Sequence, residues 1–257
     1  MKNYQKKSIF LTLFGLFLNI CTTYSQTTYN KTPINNWFDN TIGKENLAIY
    51  NGSRHVNYYR TLDNSHSYYV SGKFTTGSLK YEDQDYYNVE LKYDVNNDIL
   101  VCKPIGEYDY MGINVIKEKT TRFTIYDKQF ININYNNPSC PPDMTGYYQE
   151  IIFSKNNILY IKHHKSKKKV IDTKTISDGV NQNSTDEFKD KNEFILKYKD
   201  VYYRISSKSD IIKIFPEYKN KIKSYYNKNV QLEESDNKVF IENLIKEINT
   251  ISNNVSN

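Results

Sequence analysis

The stretch that decides the fold spans residues 77–93 and reads Gly77-Ser78-Leu79-Lys80-Tyr81-Glu82-Asp83-Gln84-Asp85-Tyr86-Tyr87-Asn88-Val89-Glu90-Leu91-Lys92-Tyr93. Every second residue from Tyr87 to Tyr93 is apolar or aromatic, which is the period of a strand that buries one face. The acidic residues Glu82–Asp85 separate this run from the shorter run Gly77–Tyr81 and are typical of a hairpin loop. These residues therefore predict an antiparallel hairpin.

Similar runs follow along the chain, each bounded by turn-forming residues. They predict strands at Ile99–Lys103, Ile113–Lys117, Arg122–Tyr126, Phe130–Ile133, Tyr147–Phe153, Ile158–His163, Glu193–Tyr198 and Val201–Ile205. Strands at this spacing predict a mostly β (α+β) protein, an antiparallel meander over residues 49–205 that forms a sheet, a sandwich or a partly open barrel. Residues 165–192 lose the alternation, and we expect an exposed polar insertion without regular structure.

The period changes from two to that of a helix after residue 206. Apolar residues before Pro216, around Ile222 and around Leu244 recur three or four positions apart, which predicts three short amphipathic helices. Ser207 or Ser209 is expected to cap the first helix, and Ser235 the third. Residues 206–257 are therefore predicted to form a helical tail.

The first 25 residues have the pattern of a secretory signal peptide. Three lysines precede an apolar run, Ser8–Ile20, that is too short for a comfortable membrane span. Thr23 and Ser25 predict cleavage before Gln26. Two alternatives remain open, a lipoprotein anchored through Cys21 and an uncleaved membrane anchor. We expect an exported protein, periplasmic or associated with the outer membrane, without a transmembrane span in the mature chain.

Residues 26–48 are polar and are expected to form a lead-in that docks through Trp37. The whole chain carries a formal charge of +6, but residues 1–25 remove three lysines and no acid, which leaves +3. So small a charge does not favour a nucleic-acid partner. The basic patch Lys162–Lys169 allows peripheral contact with anionic lipid, lipopolysaccharide or polysaccharide, although a solvated loop explains it more simply.

No motif for catalysis or metal binding withstands inspection. Asp94, Asn96 and Asp98 alternate like calcium ligands, but Ile99 and Ile105 stand where an EF-hand loop needs glycine and glutamate. These residues therefore predict a turn between strands. The neighbouring His163 and His164 would point to opposite faces of a strand and could not share a metal ion. We assign no catalytic, cofactor-binding or metal-binding residue from the sequence.

Two cysteines, Cys102 and Cys140, remain beyond the signal peptide. In an oxidising compartment they could form one disulfide, and the alternative is a pair of unpaired thiols. A nucleophilic role for Cys140 would require a histidine brought near it by the fold. The sequence leaves these alternatives open.

The order of the strand residues resembles an uncharacterised family of small exported proteins common in Bacteroidota. The resemblance rests on Tyr50-Asn51-Gly52, Gly77-x-Leu79-x-Tyr81, Tyr87-x-Val89-x-Leu91-x-Tyr93-Asp94-x-x-x-Asp98-x-Leu100-Val101, Gly146-Tyr147-Tyr148, Tyr202-Tyr203 and Ser207-Lys208-Ser209. It implies export and a β-rich fold with a short helical tail, and it implies no activity.

These observations favour a non-enzymatic envelope protein that binds a partner protein, such as a member of an envelope complex, or a surface glycan. The 25 tyrosines could supply an amphipathic contact surface. One alternative is a secreted hydrolase, which would show facing carboxylates in a deep pocket, or Cys140 beside a histidine. Another is a periplasmic lipid carrier, which would need an apolar cavity inside the sheet.

Overall fold

Antiparallel strands are the main secondary structure of the protein, as the sequence predicts. The computed structural model describes residues 47–62, 65–108, 110–133, 140–171 and 184–255. The strands in these ranges are β1 (Thr75–Tyr81), β2 (Gln84–Asp94), β3 (Ile99–Lys103), β4 (Ile113–Asn114), β5 (Thr120–Ile125), β6 (Lys128–Asn132), β7 (Tyr147–Ser154), β8 (Asn157–Lys162), β9 (Lys165–Ile171), β10 (Ser184–Asp190), β11 (Glu193–Tyr198) and β12 (Val201–Ile205).

Ten of these strands form one open antiparallel sheet, in the order β12-β11-β8-β7-β6-β5-β1-β2-β3-β4. Most neighbours in the sheet are also neighbours in the chain, so short hairpins build nearly all of it. β8 pairs directly with β11, with Lys162 opposite Glu193. β9 and β10 pair only with each other among the strands and form a separate ribbon between β8 and β11.

The hairpin of β1 and β2 is tighter than the acidic tetrapeptide suggests. Only Glu82 and Asp83 lie in the turn, with φ of 47° and 63°, and Gln84 already pairs with Tyr81. Two consecutive residues with positive φ are typical of the two-residue hairpin turn whose twist matches the flanking strands. The predicted alternation is confirmed for Val89, Leu91 and Tyr93, which are buried. It is wrong for Tyr87, because a bulge at Asn88 shifts the register and buries Tyr86 instead.

The prediction of an irregular segment over residues 165–192 is wrong in its backbone, although the segment is largely exposed. Lys169 lies opposite Asp186 and Lys168 opposite Glu187 in the ribbon. Opposite charges on facing positions can stabilise a strand pair that has no apolar face. The sequence of such strands does not show the usual alternation of apolar and polar residues. Residues 172–183 lie outside the described residues.

The N-terminal border of the β region also differs from the prediction. Ala48–Tyr50 form a 3₁₀ turn rather than a strand, and the sheet begins only at Thr75. The intervening segment touches the sheet through single bridges, which pair Arg54 with Ile113 and Tyr68 with Asp94.

The helical tail holds four helices, one more than predicted. They are α1 (Lys208–Ile214), α2 (Lys219–Lys228), α3 (Val230–Ser235) and α4 (Asn237–Val255), with a 3₁₀ turn at Pro216–Tyr218 before α2. Ser207 caps α1 as expected, since its hydroxyl accepts from the Asp210 amide. The cap of α4 is Asp236 instead of Ser235, because its carboxylate accepts from the Val239 amide at 3.0 Å.

Two large apolar clusters hold the sheet and the tail together. The first lies on β1–β3, β5 and β6 and includes the fully buried side chains of Tyr81, Tyr93, Phe123 and Phe130. The second joins the sheet to the helices and includes Leu159, Ile161, Leu196, Ile222, Phe240 and Ile245. The tail therefore covers the half of the sheet formed by β8, β11 and β12.

The predicted signal peptide, the predicted cleavage site between Ser25 and Gln26, Cys21 and Trp37 lie outside the described residues. In the described ranges, none of the helices combines the length and the apolar character that a bilayer crossing needs.

Candidate functional site

A polar cleft lies where the ribbon leaves the main sheet. It has a volume of about 630 Å³ and is bordered by the loop at Tyr69–Val70, the residues that follow β8, the residues that precede β11, and the junction of α3 with α4. Its charged lining comes from Lys165, Asp190, Lys191, Glu234, Asp236 and Lys238, and its remaining lining from Tyr69, Val70, Val95, His163, His164, Asn192, Phe194, Ser235 and Asn237. Five separate parts of the chain thus meet at one cavity.

His163 forms part of the cleft floor and is held in a neutral state. Its side chain is 5% exposed, and its Nε2 donates to Gln149 Oε1 at 2.7 Å. Its ring also packs edge-on against Tyr69 at 4.6 Å between centroids. Burial, followed by the positive charge of Lys238, lowers the pKa of His163 to about 3, despite an opposing hydrogen bond with Asn192.

Val70 stands on the rim of the cleft in an unusual backbone conformation. Its φ is 51°, and the Ser71 amide donates to the Tyr69 carbonyl across it, which makes a three-residue turn. A β-branched residue rarely adopts positive φ, and such strain is often found at functional sites. The preceding residue, Tyr69, is held in place because its backbone amide donates a hydrogen bond to the Tyr93 carbonyl at 2.8 Å.

The charges around the cleft balance one another. Three lysines and three carboxylates line it, and Lys165 is held in place because its ammonium donates to the His66 carbonyl at 3.0 Å and lies 3.9 Å from Asp190. Burial lowers the pKa of Lys165. The site is therefore rich in hydrogen-bonding groups without a net charge of its own.

A partly buried carboxylate, that of Glu242, lies close to the floor of the cleft. Glu242 lies one turn after Lys238 on α4, and its Oε1 is buried without a hydrogen-bond partner. Burial raises the pKa of Glu242. Burial first, and then the nearby charges of Glu242 and Asp190, raise the pKa of Tyr69 to about 12.

The basic patch predicted at Lys162–Lys169 is partly offset by acidic neighbours in the fold. Lys162 lies 2.9 Å from Asp98, Lys165 faces Asp190, and Lys167 lies over the ring of Tyr59. Lys168 and Lys169 face acidic residues of β10. Lys167, Lys168 and Lys169 are exposed, and none of the ion pairs found among the described residues includes them. The acidic residues of the ribbon therefore offset the positive charge only in part.

The Asp94–Asp98 segment is a turn, as the sequence predicts. The Asp94 carboxylate accepts from the amides of Asn96 and Asn97 at 3.0 and 3.2 Å, which is the usual way in which aspartate stabilises a turn. Asp98 instead accepts from the ammonium groups of Lys117 and Lys162 and from the Tyr93 hydroxyl. Within the described residues, no group of three His, Cys, Asp or Glu side chains could hold a metal ion.

Cys102 and Cys140 lie in different clusters, and each is a free thiol in this structure. Cys102 is buried in β3, and burial raises the pKa of its thiol to about 12. Cys140 lies 3.5 Å from the hydroxyl of Tyr202 and lines a smaller cavity of about 270 Å³. Its described hydrogen-bond partner is thus a tyrosine rather than a histidine.

Sequence reasoning did not find the cleft. Several lining residues lie in segments that the sequence singles out for other roles, among them His163, His164 and Lys165 of the basic patch and Ser235, the predicted helix cap. The cleft is assembled from parts of the chain about 170 residues apart, and no local pattern records that proximity. Comparison of the chain with protein-family models, with curated proteins and with solved structures finds no match.

Proposed function

We propose that the chain is an exported, non-enzymatic binding protein of the cell envelope whose cleft takes a short, neutral segment of a surface glycan. The observation that carries this proposal is the charge-balanced polar lining of the cleft. A volume of about 630 Å³ falls within the range of roughly 300–1,000 Å³ that small-molecule sites occupy. It suits a few sugar units rather than a folded partner.

The chemistry of the lining favours a sugar over other small ligands. Side-chain amides both donate and accept, ammonium groups donate and carboxylates accept, so together they can bond the donor and the acceptor of each hydroxyl. Asn192, Lys191 and Asp190 supply these three kinds of group. Tyr69, Val95 and Phe194 supply an apolar floor, which suits the C–H face of a sugar ring. A lipid tail would leave these polar groups without partners.

The state of His163 supports binding rather than acid–base catalysis. A general base works best when its pKa lies near the operating pH, whereas burial lowers the pKa of this imidazole to about 3. Its ring is also engaged by Gln149 and Asn192. The placement in the envelope is supported by the signal-peptide pattern of residues 1–25 and by the resemblance to exported Bacteroidota proteins.

The test measures binding of the chain to a panel of immobilised neutral oligosaccharides, together with release of reducing ends. We expect binding without turnover, and an affinity that changes little with salt because the ligand is uncharged. Lys191→Ala, in the cleft, should weaken binding by about tenfold or more, as expected for the loss of a charged hydrogen bond. Lys189→Ala is the matched control, because this lysine lies two residues away and outside the cleft.

Three outcomes would count against the proposal. The first is that no neutral oligosaccharide binds. The second is that Lys189→Ala weakens binding as much as Lys191→Ala, which would place the ligand elsewhere. The third is that reducing ends appear in step with protein concentration, which would favour the hydrolase.

A further inference from the structure

Helix α2 has an exposed face that carries positive charge only. Four exposed lysines lie on this ten-residue helix, and it contains no acidic residue: Lys219, Lys221, Lys223 and Lys228. The remaining exposed residues of the helix are Asn220, Ser224 and Asn227. Solvent-facing helices usually mix both signs of charge, because lysine and glutamate three or four residues apart stabilise each other.

These lysines differ from several lysines in and beside the sheet. Lys103, Lys117 and Lys119 each form an ion pair with a carboxylate. Among the described residues, no carboxylate lies within ion-pair distance of the four lysines of α2. Glu217, the nearest acid in the sequence, lies just before the helix and makes no such pair with them.

The position of the lysines opposes the folding of the helix. Lys219, Lys221 and Lys223 lie in the N-terminal half, and no acidic residue lies in the first turn. The N-terminus of a helix carries a partial positive charge, so cations there are unfavourable. Lys219 and Lys221 lie in the first turn, and the contact between the Lys221 ammonium and the Tyr218 ring, 6.0 Å to the ring centroid, offsets this cost only in part. Such a locally unfavourable choice indicates a role outside the folded chain.

The lysines lie on both sides of a stripe of uncharged polar residues on the exposed face of α2. Ile222 and Tyr226 are buried against the rest of the tail. With 3.6 residues per turn, Asn220, Ser224 and Asn227 lie on the opposite side. Lys219 and Lys223 then flank this stripe on one border, and Lys221 and Lys228 flank it on the other. The ammonium groups therefore surround a broad convex face.

We infer that α2 docks the protein against a lipid surface that carries anionic headgroups. A fluid, planar array of phosphates can meet both lysine borders at once, whereas a single linear polymer on the stripe could not contact both equally well. The apolar face of α2 is already buried, so the helix lies on the surface and contributes electrostatic attraction without insertion. This docking does not depend on what occupies the cleft.

The test is sedimentation of the full chain with two kinds of vesicle, phosphatidylcholine alone and phosphatidylcholine mixed with phosphatidylglycerol. The first kind measures any contribution of the apolar run Ser8–Ile20. The triple variant Lys219→Gln, Lys221→Gln, Lys223→Gln is compared with a control of equal charge, Lys167→Gln, Lys168→Gln, Lys169→Gln in β9. Thermal unfolding of both variants shows whether they are folded.

We expect the α2 variant to lose about a hundredfold of its phosphatidylglycerol-dependent binding, since each lysine near an anionic surface contributes roughly fivefold. The phosphatidylglycerol-dependent binding of the ribbon control should stay within about threefold of that of the unchanged chain. The α2 variant should unfold at the same temperature or higher, because it relieves the unfavourable charges at the helix start. Binding should also weaken as salt rises.

The inference is overturned if phosphatidylglycerol adds nothing to binding by the unchanged chain. Equal loss in both variants would also overturn it, because net charge alone would then explain the attraction. Binding of a soluble acidic polysaccharide such as heparin, without binding to either vesicle, would assign the face to a different class of partner.

Discussion

At the scale of single residues, His163 is the clearest case of a side chain whose chemistry is set by burial. It reaches a site where its ring is covered by Tyr69 and Phe130 and bonded to Gln149. An imidazole in such surroundings loses far more hydration when charged than when neutral. Its protonation is therefore coupled to unfolding.

This coupling predicts a loss of stability in mild acid. The unfolded chain binds a proton at His163 as the pH falls through about 6.5, whereas the folded chain does not until the pH nears 3. The free energy of unfolding should therefore fall between these values, by at most about 5 kcal/mol from this residue. Urea unfolding at a series of pH values measures it, and His163→Gln should flatten the curve.

His164→Gln is the matched control for this experiment and should keep the original pH dependence. Burial also lowers the pKa of His55 and of His66. These two residues should therefore give every variant a smaller, remaining pH dependence of the free energy of unfolding. If His163→Gln keeps the full slope of the unchanged chain, the acid sensitivity arises from other groups and His163 is not the coupled site.

Sequence reasoning at this scale succeeds where chemistry is local. The turn at Asp94–Asp98 could be predicted because aspartate bonds its own neighbouring amides. The positive φ of Val70 could not be predicted, because it depends on the anchoring of Tyr69 by Tyr93, which is distant in sequence. The partners of Asp98, which are Lys117 and Lys162, come from other elements for the same reason.

At the scale of elements, the ribbon of β9 and β10 depends on charge rather than on apolar burial. The facing pairs Lys168–Glu187 and Lys169–Asp186 set opposite charges against each other. Changing Lys168→Glu would place two carboxylates opposite one another, which costs about 0.5–1 kcal/mol of strand pairing. We expect faster amide hydrogen exchange over Ser184–Asp190, with little change in the main sheet.

The reversed pair supplies the control for this prediction. Lys168→Glu combined with Glu187→Lys restores opposite charges at the same positions and should restore slow exchange. If the double variant exchanges as fast as the single one, the ribbon is held by its contact with Arg60 and by the packing of Tyr59 on Phe188, and charge pairing contributes little.

The elements that the sequence predicts correctly are those with one apolar face. β2 and the helices α2 and α4 show the expected periods because each buries one side against a core. The ribbon lacks such a face, and α3 is only six residues long, too short for a period to be read. Pairing partners across a sheet leave little trace in the local sequence, so the order of strands could not be predicted either.

At the scale of the whole molecule, one continuous sheet connects two apolar clusters. The cluster under the helices and the cluster on β1–β3 share this sheet through β5–β8. Strand pairing transmits order from one half to the other, so we expect the two halves to unfold together. Phe240 on α4 is fully buried between the tail and the sheet and is suited to a test.

Phe240→Ala should lower the free energy of unfolding by about 3–5 kcal/mol, because it removes a buried ring and leaves a cavity. Loss of α4 packing should also displace Lys238 and Asp236 and weaken ligand binding in the cleft. Phe188→Ala in the exposed ribbon is the matched control and should cost far less. Urea unfolding followed by far-ultraviolet circular dichroism and by tyrosine fluorescence should give one shared midpoint for each variant.

If the two signals separate in Phe240→Ala, the helical half has melted while the first cluster stays folded. The sheet would then join two independent folding units, and the cleft would lie at their border rather than within a single cooperative structure.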